Sequence, residues 1–240
     1  MMKDLVWTCR PARSWSGSGY EMKARPGAAT MIAGMVLAAG RSSRMGRLKP
    51  LLPWGQKTVI EQVVTTLLTA PLADLLVVTG YEHEALAAVL QGYPLRVVFN
   101  PDHAAGEMIS SIQVGLRALG PTVNAALIAV GDQPRIQAGT IAAVIAAWRD
   151  GPPQRIIIPS YQMRRGHPIC LPRAVWPAVL ALSWQDSLRS LWTSLAGQIE
   201  HITLDSPTIL SDMDTPDDYL REVGASATDG HDLSPTERPA

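Results

Sequence analysis

The chain has 240 residues, 47% of them apolar, and its 21 basic and 21 acidic side chains cancel to a formal charge of zero. A chain of this length and apolar content buries a sizeable core and is no disordered polymer. The balance excludes the strong basic excess of a nucleic-acid binder, and no apolar run approaches the roughly 20 residues that cross a bilayer. The two cysteines, Cys9 and Cys170, supply neither a disulfide framework nor a zinc ligand set, which suits a reducing cytoplasm.

Residues 1–33 carry a net charge of +3 without apolar periodicity or a secretory apolar core, and are expected to be a disordered or mis-started extension. Periodicity is confined to residues 34–223. Apolar runs at 35–39, 75–79, 96–99 and 125–130 predict strands buried on both faces. Between and after them, helical spacing predicts helices at 58–68, 82–90, 107–119 and 138–148. A strand at 155–159 follows, then a short strand at 167–171, two helical stretches, a strand near 199–204 and a last helix after Thr215. The small, polar, Pro-containing run 224–240 reads as a disordered tail. This alternation predicts one α/β domain at 34–223, with a mostly parallel sheet and helices on both faces.

In such sheets ligands collect at the carboxyl ends of the strands. The first end carries two glycines, two serines and four cations between Gly40 and Pro50. Gly40 and Gly46 let the backbone approach a ligand, Ser42 and Ser43 donate to phosphate oxygens, and Arg44 and Lys49 offset a triphosphate. A merely solvated basic turn is the alternative. The loop is neither a Walker A loop nor a dinucleotide fingerprint. After the strand at 125–130 comes Gly131-Asp132-Gln133-Pro134, where Asp132 is placed either to hold Mg²⁺ or to cap a turn. In Asp212-Met213-Asp214-Thr215-Pro216-Asp217-Asp218, Thr215 is a helix N-cap, and Asp217 and Asp218 suit the first turn. Asp212 and Asp214 precede the helix and are spare for a metal. The expected arrangement keeps the signs apart, with Arg41, Arg44, Arg47 and Lys49 on one loop and Asp132, Asp212 and Asp214 on others.

His83 and His103 read as solvated surface residues. His167, preceded by Arg164, Arg165 and Gly166, reads as an anion contact. Cys170 continues an apolar strand and reads as a buried thiol. The tryptophans read as packing residues, with Trp54 close enough in sequence to the first loop to flank it.

LAAGRSSRMGRLK with LLPWG, VVTGY at 77–81, NPDHAAG at 100–106 with Ser111, GDQP at 131–134, RGHPI at 165–169 and DMDTPDD at 212–218 occur in this order. Together they resemble the MobA-like nucleotidyltransferases, most closely the CTP:molybdopterin cytidylyltransferases. The resemblance implies a Rossmann-like nucleotidyltransferase fold of GT-A-like type. It implies transfer of a nucleoside monophosphate from CTP, or another NTP, to a phosphate-bearing acceptor such as molybdopterin, with Mg²⁺ as cofactor. It assigns nucleotide binding to Leu37, Ala38, Ala39, Gly40, Ser42, Ser43, Arg44, Gly46 and Lys49, and to Gly106, Ser110 and Ser111. Asp132 becomes a metal ligand, Asp214 or Asp212 the second, and Arg165, Gly166 and His167 acceptor-side residues. Arg44, Lys49 and Asp132 are the expected catalytic set. A recipient molybdoenzyme or maturation factor is an expected contact. A guanylyl or sugar-phosphate transferase, a non-catalytic cofactor carrier and a nicotinamide-dependent oxidoreductase are the alternatives.

Overall fold

The computed structural model describes residues 31–228, apart from residues 43, 44, 106, 184, 185 and 187. Ten strands and seven helices follow one another as β1 Ile32–Ala38, β2 Pro53–Trp54, β3 Lys57–Thr58, α1 Val59–Leu67, β4 Asp74–Thr79, α2 His83–Val89, β5 Arg96–Phe99, α3 Met108–Ala118, β6 Ala125–Val130, α4 Ala138–Asp150, β7 Ile156–Tyr161, β8 Arg164–Arg165, β9 Ile169–Pro172, α5 Trp176–Leu180, α6 Leu188–Ser194, β10 Ile199–Thr203 and α7 Pro216–Thr228. Every predicted strand and helix has a counterpart in this sequence of elements. The β2–β3 hairpin and β8, each of two residues, are too short to leave a periodic signal.

The main sheet runs β10-β7-β9-β6-β1-β4-β5, with β8 paired to β7. β1 lies at its centre, parallel to β4 and β6. β9 is antiparallel to both neighbours, and only seven residues separate it from β7, too few for a parallel crossover, which needs a dozen or more. Alternation along β1 divides the core. Ile32, Val36 and Ala38 face α1, α2 and α4, while Ala33, Met35 and Leu37 face α3, α5 and α6.

Two local devices fix the helices that frame the site. Thr58 and Glu61 form a reciprocal capping box at the start of α1. At α7 the Thr215 hydroxyl accepts from the Asp218 N–H at 3.2 Å, and the Asp218 carboxylate accepts from the Thr215 N–H at 2.9 Å. The capping expected of Thr215 is therefore present, and Asp218 is used in it.

Three expectations need correction. The sheet begins at Ile32, inside the predicted extension, because Ile32 and Ala33 pair with β6 and are buried. Helix α7 runs to Thr228, past the predicted boundary at 223. Strand β5 is an edge strand instead of one buried on both faces, and Phe99 is 45% exposed. The remaining parts of the two predicted tails, 1–30 and 229–240, lie outside the described residues.

Leu127 of β6 is fully buried against the α1 and α4 side. Leu127→Ala is expected to lower stability by about 2–5 kcal/mol, read from the urea midpoint.

Candidate functional site

The ends of β1 and β6 open on a cavity of about 310 Å³. Of the residues predicted from sequence, Leu37, Ala38, Ala39, Gly40, Ser42, Lys49, Ser111 and Asp132 line it. So do Pro50, His103, Glu107, Met108, Val130 and Gly131. The register places Leu37 opposite Val130, so the loops leaving β1 and β6 emerge side by side. Gly131 is tightly enclosed there: a Cβ would stand 3.1 Å from Ala38, Ile60 and the Leu37 carbonyl, so these neighbours would have to give by a few tenths of an ångström.

Lys49 is the centre of the charged end. Its Nζ donates to Asp214 Oδ1 at 2.6 Å and to Asp132 Oδ2 at 3.2 Å. Burial alone would push this ammonium down, but the hydrogen bond to Asp214 and the charge of Asp132 outweigh it and hold the lysine protonated. Burial also pushes the Asp132 carboxyl up, and the nearby Lys49 only partly offsets the shift. Asp212 has a different partner, accepting from Gln133 Nε2 at 2.6 Å. The signs are thus interlocked, not kept apart as expected, because a buried ammonium and two carboxylates can share this space only as partners. Lys49 itself is held by Ser42, whose hydroxyl accepts the Lys49 N–H at 3.0 Å from a left-handed backbone at φ 51°.

Asp214 reaches this point because α7 is anchored. Tyr219 donates its hydroxyl to the Pro53 carbonyl at 2.6 Å, and Arg135 pairs with Glu222 at 3.2 Å. Met213 is buried with Leu52, Trp54 and Val59, against Met45, Tyr219 and Val223. Trp54 therefore packs the support of the site and does not line the cavity.

At the other wall, Asn100 is fully buried and donates its side-chain amide to Ser110 and Ser111 at 2.9 and 3.0 Å. Its side-chain carbonyl accepts the Asp102 N–H at 3.0 Å. This ties the turn after β5 to the start of α3. Ser110 is consumed by the arrangement, since its hydroxyl also donates to the Glu107 carbonyl at 3.0 Å, and it does not line the cavity. His103, read as a surface residue, instead forms part of the wall: its ring faces Phe99 and its Nδ1 is buried without a partner. Gly80 makes room for it, because a Cβ there would meet His103 Cβ at 2.4 Å. The strand-end rule applied to β5 is the signal that would have located this turn. His83, also read as solvated, is half-buried with Nδ1 2.6 Å from the Thr79 hydroxyl.

Other expected residues lie apart. Arg41 and Arg47 are exposed outside the cavity, with Arg41 over the Tyr81 ring. Gly46 is exposed at φ 65° and does not line the cavity. Arg165, Gly166 and His167 do not line it either. Gly166 is buried where a Cβ would meet the Ile209 carbonyl at 2.3 Å, so close packing by itself calls for glycine there. Burial pushes His167 down to about 4, against the pull of Asp132, so it is neutral at pH 7 and carries no charge for an anion. Cys170 is a buried thiol pushed up by burial, as expected. Ser43, Arg44 and Gly106 lie outside the described residues.

The donor set fits a hard divalent cation. Two carboxylates converge on the position of one cation, Lys49 Nζ, and no group of three or more His, Cys, Asp or Glu forms a closed cage among the described residues. Mg²⁺ characteristically takes one or two carboxylates and completes its shell with substrate phosphates and water.

Asn100→Asp replaces a double donor by an acceptor facing two serines. It is expected to loosen the wall that carries Ser111 and to cost about 1–3 kcal/mol in denaturant melts. For His167, the unfolded chain takes up a proton near pH 6.5 that the folded ring refuses until about pH 4. Its contribution is therefore present above pH 6.5 and lost as pH falls through that window, by up to about 3 kcal/mol. Denaturant midpoints at successive pH values are expected to fall less steeply for His167→Gln.

The sequence pattern of the MobA-like NTP transferase domain matches residues 34–200. The chain is 33% identical over 156 residues to a nicotine blue oxidoreductase of Paenarthrobacter nicotinovorans, a span covering 62% of this chain and 74% of that one. It is 26% identical over 191 residues to a molybdenum cofactor cytidylyltransferase of Escherichia coli K12, covering 78% and 92%. A nucleotidyl transferase structure from Methanothermobacter superimposes with a TM-score of 0.73 at 27% identity, covering 83% and 99%. A manganese complex from Mycobacterium tuberculosis H37Rv gives 0.67 at 26%, covering 81% and 98%. No described helix is long and apolar enough to cross a membrane. With its strand-end cavity, its lysine–carboxylate cluster and this match over most of its sheet, the chain belongs to the MobA-like NTP transferase family of nucleotidyltransferases.

Proposed function

We propose that this nucleotidyltransferase transfers CMP from CTP to the phosphate of molybdopterin, releasing pyrophosphate, in the cytoplasm and with Mg²⁺. The observation that carries the reading is the convergence of Asp132 and Asp214 on Lys49 at the cavity. The resemblance to the cytidylyltransferase and the Ala39 form of the loop support CTP. The manganese-bound neighbour supports a divalent cation.

Asp132 and Asp214 would hold the cation, with Asp212 kept in reserve by Gln133. When bound, the cation supplies Lewis-acid charge at the phosphates. Lys49 offsets charge growing on the pyrophosphate, with Arg44 as its proposed partner, and the Gly40–Ser42 segment lies along the same wall. An oxygen of the acceptor phosphate forms the new bond to the α-phosphorus as the bond to pyrophosphate breaks. That oxygen is already ionised near neutral pH, so no side chain need remove a proton. Positioning and charge complementarity therefore carry the rate. On the acceptor side, Arg165 is the exposed cation and neutral His167 offers hydrogen bonds only.

The 33% identity to nicotine blue oxidoreductase favours a second reading, a nicotinamide-dependent reductase. Pyrophosphate release across four NTPs, with molybdopterin or a sugar phosphate as acceptor, is expected only for CTP with molybdopterin. Asp132→Asn should lower kcat by at least about 100-fold. Turnover with the sugar phosphate alone overturns the acceptor, and NADH binding and oxidation without pyrophosphate release establishes the second reading.

A further inference from the structure

Lys49 Nζ stands 2.6 Å from one carboxylate and 3.2 Å from the other. These are the two groups that would hold the cation. Mg²⁺ binds carboxylate oxygens at about 2.0–2.1 Å, so an ion taking these two oxygens competes with the ammonium for the same lone pairs. Lysine and metal are alternative occupants of one seat.

The lysine is a strong competitor. It is buried, its backbone is pinned by Ser42, and its tether keeps the ammonium at high effective concentration beside both carboxylates. A free divalent cation must also shed part of a tightly held water shell to enter. Nucleotide changes the balance. Its phosphates offer the flexible ammonium new anionic partners in the same cavity, and they add oxygens to the metal's shell.

We propose that Lys49 is a resident counter-cation of the metal seat, released to the phosphates as nucleotide and metal enter together, so that the two ligands bind with strong mutual cooperativity. This rests on the reading of NTP and a divalent cation as the ligands. By linkage, nucleotide raises metal affinity by the factor through which metal raises nucleotide affinity. The lysine thus has two positions in the cycle: on the carboxylates before binding and on the phosphates afterwards.

The test is Mn²⁺ binding at pH 8, followed by electron paramagnetic resonance, with and without a CTP analogue that cannot be cleaved between its α- and β-phosphates. Wild-type protein is expected to bind Mn²⁺ weakly alone and at least tenfold more tightly with the analogue. Lys49→Met should bind Mn²⁺ alone at least tenfold more tightly than wild type, with a metal-dependent rise in Tm, whereas Lys49→Arg keeps the charge and should resemble wild type. Equal Mn²⁺ affinity of wild type and Lys49→Met without nucleotide overturns the proposal. Should Lys49→Met fail to fold, the wild-type coupling decides, and its absence is equally fatal. If wild type binds Mn²⁺ tightly without nucleotide and Asp132→Asn does not, only this proposal fails. If neither protein binds Mn²⁺ even with the analogue, the nucleotidyltransfer reading of the site fails too.

Discussion

The contact of one ammonium with two carboxylates unites segments that have no local reason to meet. Lys49 is 83 residues from Asp132 and 165 from Asp214. The first distance is closed by parallel pairing of β1 with β6, which brings both strand ends to the same edge. The second is closed by α7, which lies outside the main sheet and is held by the Tyr219 and Glu222 contacts and by the small cluster around Met213. Packing at this peripheral helix therefore sets the position of a charge at the centre of the site. Loss of those contacts would act first on the carboxylate pair, before the global fold.

Topology also orders the cavity. β4 and β6 flank β1 on opposite sides, and neighbouring strands lie about 4.8 Å apart. Their loops consequently stand roughly 10 Å apart across the β1 loop. Lys49 follows β1 and Asp132 follows β6, while Gly80 follows β4 and His103 follows β5. On the proposed reading, a nucleotide whose phosphates met Lys49 would extend its nucleoside towards His103, Glu107, Met108 and Ser111, which also line the cavity. Asn100 fixes that wall through a buried hydrogen-bond set, so its shape is set before a ligand arrives.

The sequence made the buried strands and amphipathic helices legible because their periodicity reflects a two-sided sheet. Asp132 and Lys49 were legible for a related reason: each follows a strand that such a sheet must aim at one edge. Side-chain competition was not legible. Ser110 and Ser111 are adjacent hydroxyls in sequence, yet Asn100 and the Glu107 carbonyl engage the first while the second lines the cavity. His103 looked solvated because nothing local shows that Gly80, 23 positions earlier, lacks the Cβ that would exclude its ring. The choice of Asp214 over Asp212 as the partner of Lys49 likewise depends on Gln133, a long-range hydrogen bond without periodicity.

The cluster is poorly explained as a stabilising device. Desolvating an ammonium and carboxylates costs several kcal/mol per ion, and well-packed apolar replacements often serve stability as well or better. Burial here raises the Asp132 carboxyl despite its neighbouring cation, so the site works against the charged form of this group. Hydride transfer has no evident use for two carboxylates gathered on a lysine at the end of this cavity. Phosphoryl chemistry has a use for all three, because its transition state concentrates charge that a movable ammonium and a carboxylate-held cation offset from different sides. The zero net charge of the chain conceals this arrangement, whose chemistry depends on which of its charges are partnered at each stage.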